Sequence, residues 1–185
     1  MDFNQYHHII FDFDQTLVSL LIDWSSWQEG VTAIINKYDS SFNEAKSLHS
    51  HSIAKLIDKY GKTFRDDYVN FGLNLEQKNY SGYKIINKTM ALLKTMHQQN
   101  KNLYLLTSNS AETVLPILEK LKITGYFNKI ITANDVENVK PSPSPFKLIY
   151  AEDNNKEQYL MVGDSISDRG FAENIGIDYL DVADF

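Results

Sequence analysis

Residues 7–17 (His-His-Ile-Ile-Phe-Asp-Phe-Asp-Gln-Thr-Leu) constrain the fold more than any other stretch of this chain. Residues 9–11 form an apolar, β-rich run typical of a buried strand, and Asp12 and Asp14 end it. In an extended chain, their i, i+2 spacing would place both side chains on one face. Carboxylates beside a core need a cation, so this strand end is a candidate site for a divalent metal ion or a lysine. A solvated turn or a calcium-binding loop would also fit these two acids taken alone.

The composition limits both the partners and the chemistry of the chain. Its 185 residues are 43% hydrophobic, which is enough for one modest domain or for a core with a small insert. The net charge of −6 does not favour nucleic acid or an anionic membrane, and the lack of cysteine excludes disulfides, thiolate catalysis and cysteine-based zinc sites. No apolar run approaches the ~18 residues of a membrane span, and the first residues do not resemble a signal peptide. We therefore expect a cytoplasmic protein without a membrane partner, and we make no prediction of its oligomeric state.

Residues 18–81 show helical periodicity and no clear strand pattern. The predicted helices span about 24–38, 41–61 and 64–72, and the second and third end at glycines. Hinges are expected at 18–23 and 73–82. This part of the chain is therefore predicted to be a helical insert.

From residue 82 onward, strands and helices alternate. The predicted strands span about 101–107, 129–132, 159–162 and 179–182. The predicted helices span about 83–99, 111–121, 146–151 and 167–174. Together with the strand at 9–11, this alternation predicts a doubly wound α/β fold, with a parallel sheet and helices on both faces.

Chemically useful side chains collect where the predicted strands end. Ligands of a doubly wound sheet bind at the carboxyl ends of its strands. We therefore expect one site made of residues that follow these strands directly or lie in the next loop. The residues in these positions are Asp12, Asp14, Thr107, Lys140 and Asp164.

The segment Thr107-Ser108-Asn109 lies between a predicted strand and a predicted helix. Threonine, serine and asparagine are preferred N-cap residues, so the segment fits a helix cap. The free amides of a helix N-terminus also bind phosphate. The cap and phosphate-binding interpretations are compatible with each other.

Two further segments have both a structural and a functional interpretation. Lys140 alone would be a solvated surface lysine, but the prolines of Lys-Pro-Ser-Pro-Ser-Pro restrict its loop. Residues 163–168 (Gly-Asp-Ser-Ile-Ser-Asp) fit a tight strand-to-helix turn with Asp168 in the first helical turn. The prolines limit the freedom of Lys140, which favours a site there, whereas the functional interpretation of residues 163–168 comes from the resemblance described next.

These segments together resemble the four motifs of the haloacid dehalogenase-like (HAD) phosphohydrolases, in the order of that family. The matching stretches are Asp-Phe-Asp-Gln-Thr-Leu at 12–17, Thr-Ser-Asn at 107–109, Lys-Pro-Ser-Pro at 140–143 and Gly-Asp-Ser-Ile-Ser-Asp at 163–168. The insert resembles the helical cap of the type-I enzymes of the phosphoglycolate phosphatase and β-phosphoglucomutase-like subfamily. The resemblance implies a Rossmann-like core at 1–17 and 82–185 and a small cap at 18–81.

The resemblance implies a Mg²⁺-dependent phosphatase that acts through a phospho-aspartate. Asp12 would attack phosphorus, which splits one difficult displacement into two easier ones. Asp14 would protonate the leaving oxygen and then accept a proton from water. Thr107 and Lys140 would offset charge on the transferring phosphoryl group.

The resemblance also implies a metal site and a substrate site. Mg²⁺ prefers carboxylates, carbonyls and waters. The implied metal site comprises Asp12, the backbone carbonyl of Asp14, Asp164 and, in support, Asp168. The implied substrate site comprises Gln15, Thr107, Ser108, Asn109 and Lys140, and Gln15 departs from the glycine that is commoner in the family.

The expected substrate is a small phosphorylated metabolite, such as a sugar phosphate, phosphoglycolate or a nucleotide. The presence of Asp14 favours phosphoester chemistry within this family. Dehalogenases attack carbon and need no acid to protonate an alkoxide, and phosphonatases carry alanine at this position.

A sugar-phosphate mutase of the same family is the nearest alternative. A non-catalytic binding or regulatory protein that kept the fold is the alternative from another class.

Overall fold

A computed structural model describes residues 2–40, 50–79, 81–151 and 155–184. The chain forms two compact units, one comprising 1–19 and 83–185 and the other 20–82. The strands are β1 His8–Phe11, β2 Val18–Leu20, β3 Tyr83–Ile85, β4 Asn102–Leu106, β5 Lys129–Ile131, β6 Tyr159–Gly163 and β7 Asp178–Asp181. The α-helices are α1 Trp24–Tyr38, α2 Ser50–Asn79, α3 Asn87–Gln98, α4 Ala111–Leu121 and α5 Ile166–Ile175.

The first unit contains a five-stranded parallel sheet in the order β5-β4-β1-β6-β7. Strand β1 lies at its centre, where Ile9 pairs with Leu103 of β4 and with Leu160 of β6. A central parallel strand is covered on both faces, which explains why residues 9–11 are all apolar and fully buried. The predicted parallel α/β sheet is confirmed.

Aromatic and aliphatic side chains from several elements pack on this sheet. One buried cluster joins Ile10 of β1 and Met161 of β6 to Phe171 of α5. Phe146, from a short 3₁₀ helix at Ser144–Leu148, packs edge-on against Tyr159 and Phe171 in the same cluster. This cluster therefore packs β1 and β6 against the second half of α5.

The second unit is helical. Helix α1 has the predicted bounds, and Asp23 caps it by accepting hydrogen bonds from the amides of Ser25 and Ser26. Its buried side chains Val31 and Ile35 pack with Phe64 of α2. Residues 41–49, where the predicted second helix begins, lie outside the described residues.

Four sequence predictions about helices and strands of the two units are wrong. Residues 83–85 form β3 rather than a helical turn, and they pair with β2, for which no strand was expected. Three-residue strands are too short to show an alternating pattern. Helix α2 continues through Gly72 to Asn79, because apolar Phe71 and Leu75 extend its packed face past the glycine. The helix expected at 146–151 is the 3₁₀ helix that begins earlier, at Ser144.

Among the described residues, no helix is both long and apolar enough to cross a membrane.

Gly61 interrupts α2 with a backbone that only glycine adopts without strain, at φ 74° and ψ −160°. We expect Gly61→Ala to lower the free energy of unfolding by about 1–3 kcal/mol. Gly72 lies in regular helix with open space at its Cβ position, so Gly72→Ala should raise it by about 0.5–1 kcal/mol. Urea unfolding of the two variants measures both effects. Equal effects of the two substitutions would contradict the interpretation of Gly61 as a required break.

Candidate active site

Three carboxylates meet at the carboxyl ends of β1 and β6. Asp12 directly follows β1, Asp164 directly follows β6, and Asp168 lies in the first turn of α5. Because β1 and β6 are neighbours, with Phe11 beside Val162, the residues after them share one edge of the sheet. One oxygen atom from each carboxylate lies within 4.8 Å of the others, and Asp12 and Asp168 are buried. The structure thus brings together acids that are far apart in the sequence, since Asp12 and Asp168 are separated by 156 positions.

Lys140 places its ammonium group between two of these acids. Its Nζ lies 2.5 Å from Asp12 Oδ1 and also contacts Asp168 Oδ1, and the residue is 5% exposed. The loop that carries it is held in place, because Asn174 donates from Nδ2 to the carbonyl of Pro141 at 3.0 Å. The restricted loop expected from the prolines therefore delivers its lysine to the acids.

The local electrostatics show that one lysine does not balance three acids. Burial raises the pKa of Asp12, and Lys140 offsets this effect only in part. Burial and the neighbouring Asp168 raise the pKa of Asp164 to about 6. The pKa of Lys140 is also raised, since its two carboxylate partners outweigh the effect of burial. Three carboxylates against one ammonium leave a surplus of negative charge, and these oxygen donors fit a hard divalent cation such as Mg²⁺.

The turn 163–168 fixes Asp168. Its Oδ2 accepts hydrogen bonds from the backbone N of Ser165 at 3.0 Å and from the Ser165 hydroxyl at 2.6 Å. The Ser165 hydroxyl in turn accepts from the Asp168 amide, which makes a capping box at the start of α5. Asp168 thus caps the helix with one oxygen and binds Lys140 with the other.

Thr16 is a site residue to which the sequence analysis gave no role. It is fully buried, and its hydroxyl lies 3.4 Å from Asp12 Oδ2 and 3.3 Å from Asp164 Oδ1. Thr16 therefore lies between the two acids, and its single hydroxyl proton can be donated to only one of them at a time. The signal for it was present in the Asp-x-Asp-x-Thr-Leu phrase.

Asp14 and Gln15 form the turn after Asp12. Asp14 is half-buried, and its Oδ1 accepts a hydrogen bond from the backbone N of Gln15 at 3.0 Å. Gln15 has a left-handed backbone, at φ 58°. Its side-chain Nε2 donates to Ser19 Oγ at 3.0 Å and lies 3.5 Å from Asp14 Oδ1.

Residues 107–109 follow β4, the neighbour of β1 on its other side. Thr107 is buried; its hydroxyl donates to Asn109 Oδ1 at 2.8 Å and accepts from the Asn109 amide at 3.1 Å. Ser108 is exposed. The expectation that this segment caps the next helix is wrong, since Ser110 is the N-cap and accepts from the Thr113 amide. The three residues instead form a turn between the strand and that cap.

Three of the four motif segments, 12–17, 107–109 and 163–168, lie at the carboxyl ends of the neighbouring strands β1, β4 and β6, and Lys140 reaches Asp12 from its loop. Residues 9–182 match the family described as haloacid dehalogenase-like hydrolase. The chain belongs to this family. It is therefore a hydrolase on the Rossmann-like HAD fold.

Curated relatives of this HAD chain carry phosphatase names. It is 38% identical over 175 residues to the phosphoglycolate phosphatase of Salmonella typhi, covering 88% of this chain and 69% of that protein. It is 29% identical over 174 residues to the pyrophosphatase PpaX of Bacillus cereus, covering 91% and 79%. It is 36% identical over 86 residues to the pyrophosphatase PpaX of Halalkalibacterium halodurans, and these residues cover 46% of this chain and 40% of that protein.

Solved structures of HAD hydrolases share the fold. A HAD-superfamily hydrolase from Ehrlichia chaffeensis superposes with a TM-score of 0.58 at 23% identity, covering 95% of this chain and 91% of that one. A subfamily IA hydrolase from Geobacter sulfurreducens gives 0.56 at 19%, covering 95% and 89%. The HAD hydrolase YfnB from Bacillus subtilis, solved bound to magnesium, gives 0.54 at 18%, covering 94% and 85%.

Gly163 leaves no room for a side chain beside Asp168. A Cβ at this position would lie 2.5 Å from Asp168 Cγ, and Asp168 cannot move without breaking its bonds to Ser165 and Lys140. We expect Gly163→Ala to lower the free energy of unfolding by about 1–3 kcal/mol. Gly125→Ala is the matched control, because no atom lies within 4 Å of its Cβ position. Urea unfolding compares the two, and equal stability would contradict this packing argument.

Proposed function

We propose that this chain is a Mg²⁺-dependent phosphatase that hydrolyses a small phosphomonoester through a phosphorylated Asp12. The observation that carries the proposal is the group formed by the buried Asp12 and Asp168 and the exposed Asp164, with Lys140 between the two buried acids. A purely structural role does not require three acids and a lysine at the open edge of a sheet. The phosphatase names of the curated relatives support the same chemistry.

Asp12 is assigned as the nucleophile. It directly follows the central strand, so its backbone is rigid, and Lys140 and Thr16 each contact one of its oxygens. A carboxylate held in this way can attack phosphorus without first losing rotational freedom. Its attack forms an acyl phosphate, and water then hydrolyses that intermediate.

Asp14 is assigned as the general acid and base. It protonates the leaving oxygen while Asp12 attacks, and it accepts a proton from water in the second step. Thr107, Ser108 and Asn109 are assigned to the phosphoryl group, since they follow the strand next to β1. Lys140 neutralises charge on Asp12 and on the transferring group as a compact point charge.

The metal site is assigned to Asp12, Asp164 and the backbone carbonyl of Asp14, with Asp168 in support. The surplus negative charge of this group supports a divalent cation there. Bound Mg²⁺ supplies electrostatic stabilisation of the charge that develops on the transferring phosphoryl oxygens. Asp168, which contacts Lys140 and Ser165, holds the lysine at the site.

The substrate class follows from the relatives and from the inserted unit. We assign residues 18–81 as the cap that selects the substrate. The name of one relative points to phosphoglycolate, which is a phosphomonoester, whereas the name of the other points to pyrophosphate, which is a phosphoanhydride. A small phosphorylated metabolite of this kind is consistent with the cytoplasmic location expected from the sequence.

The test is phosphate release from a panel containing phosphoglycolate, a hexose 1-phosphate, a nucleoside monophosphate and inorganic diphosphate. We expect release with Mg²⁺, none with EDTA, and a loss of more than ~10³-fold in Asp12→Asn, because the nucleophile is removed. Asp184→Asn makes the same change at an exposed acid outside the site and should retain full activity.

Three outcomes would contradict the proposal. Full activity in EDTA would exclude the metal assignment, and undiminished activity of Asp12→Asn would exclude the nucleophile. Conversion of the hexose 1-phosphate to its isomer without phosphate release would indicate a mutase instead.

A further inference from the structure

Gln15 keeps a strained backbone beside the proposed acid–base residue. Its φ of 58° lies in the left-handed region, which glycine enters without cost and which a γ-extended side chain such as glutamine rarely adopts. Asn100 and Lys122 have similar φ values, of 56° and 57°, but neither lies in the four motif segments. Strained backbone persists at functional sites when side-chain contacts compensate for it. The contacts of the Gln15 side chain therefore need an explanation.

Those contacts converge on one oxygen of Asp14. The backbone N of Gln15 donates to Asp14 Oδ1 at 3.0 Å, and the side-chain Nε2 approaches the same oxygen at 3.5 Å. The Nε2 group carries two protons, and it directs the other one to Ser19 Oγ at 3.0 Å. Ser19 thus anchors the amide, and the amide is held against the Asp14 carboxylate.

Two donors on one carboxylate oxygen restrict rotation of that carboxylate. General acid catalysis depends first on geometry, because the proton must lie within hydrogen-bond reach of the leaving oxygen. A glycine at position 15 would keep the backbone donor and lose the side-chain donor. The contacts to Asp14 are therefore what distinguishes glutamine from glycine here.

We infer that Gln15 is a positioning residue that orients the Asp14 carboxylate for protonation of the leaving group. This inference rests on the proposed phosphatase function and adds to it a role of Gln15 that is exerted through Asp14. The left-handed backbone of Gln15 is tolerated because the amide bridges Ser19 and Asp14.

The test compares two substrates that differ in their need for a proton. Glycerol 3-phosphate releases an alkoxide that must be protonated, whereas p-nitrophenyl phosphate releases a stable phenolate. The ratio kcat/KM reports the steps up to departure of the leaving group. The later hydrolysis of the phosphorylated enzyme does not affect it. For Gln15→Gly we expect kcat/KM on glycerol 3-phosphate to fall by about 10- to 100-fold, within what general acid catalysis supplies. The fall on p-nitrophenyl phosphate should be at least about tenfold smaller.

Further variants separate positioning from folding. Ser19→Ala removes the anchor of the amide and should show the same substrate-dependent loss in smaller measure. Gln15→Asn keeps an amide group that is too short to bridge Ser19 and Asp14, so it should show this loss as well. Lys122→Gly relieves the same left-handed backbone far from the motifs and should leave both substrates unaffected. Gln15→Gly should not lower the Tm, since it removes strain.

The outcomes distinguish this inference from the proposed function. If the wild-type protein releases phosphate neither from these two substrates nor from any member of the panel used to test the proposed function, the phosphatase proposal fails. If it hydrolyses both and Gln15→Gly loses equally on both, or loses nothing, the positioning role fails alone. A fall in Tm with equal losses would make Gln15 a structural residue only.

Discussion

The ion pairs of Lys140 with Asp12 and Asp168 are the interaction on which the rest of this site depends. All three side chains are buried, and removing one charged partner from such a group is strongly destabilising because the others are left uncompensated. The group also ties together three distant parts of the chain: the end of the central strand, the proline-rich loop and the start of α5. Catalytic geometry and local folding are therefore coupled through the same three residues.

The backbone around this group is shaped to make it fit. Gly163 leaves space for Asp168, Ser165 holds one Asp168 oxygen, and Pro141 is held by Asn174 so that the lysine reaches inward. All of these contacts are made between residues of the protein itself. They fix the acids before any ligand arrives, which reduces the reorganisation needed during catalysis.

Much of this arrangement could be predicted from the sequence, and the failures have local causes. Apolar runs predicted the sheet because buried parallel strands are apolar on both faces, and the periodicity of α1 gave its bounds. The three-residue strands β2 and β3 carry too few side chains to show a pattern. The role of Ser110 as a cap was missed because four consecutive residues, 107–110, are all of capping type. The contacts of Thr16 and Gln15 depend on side-chain directions in a turn, which spacing alone does not reveal.

If Asp12 accepts the phosphoryl group, that group can be trapped on residue 12. Asp14→Asn protein, in which hydrolysis of the intermediate is slowed, would be exposed to p-nitrophenyl phosphate with Mg²⁺, quenched in acid and digested for peptide mass spectrometry. We expect one phosphoryl group on residue 12, which hydroxylamine removes and which is absent from the Asp12→Asn, Asp14→Asn double variant. A phosphoryl group on any other residue, or phosphate release by the wild-type protein with no phosphorylated Asp12 in either protein, would contradict it.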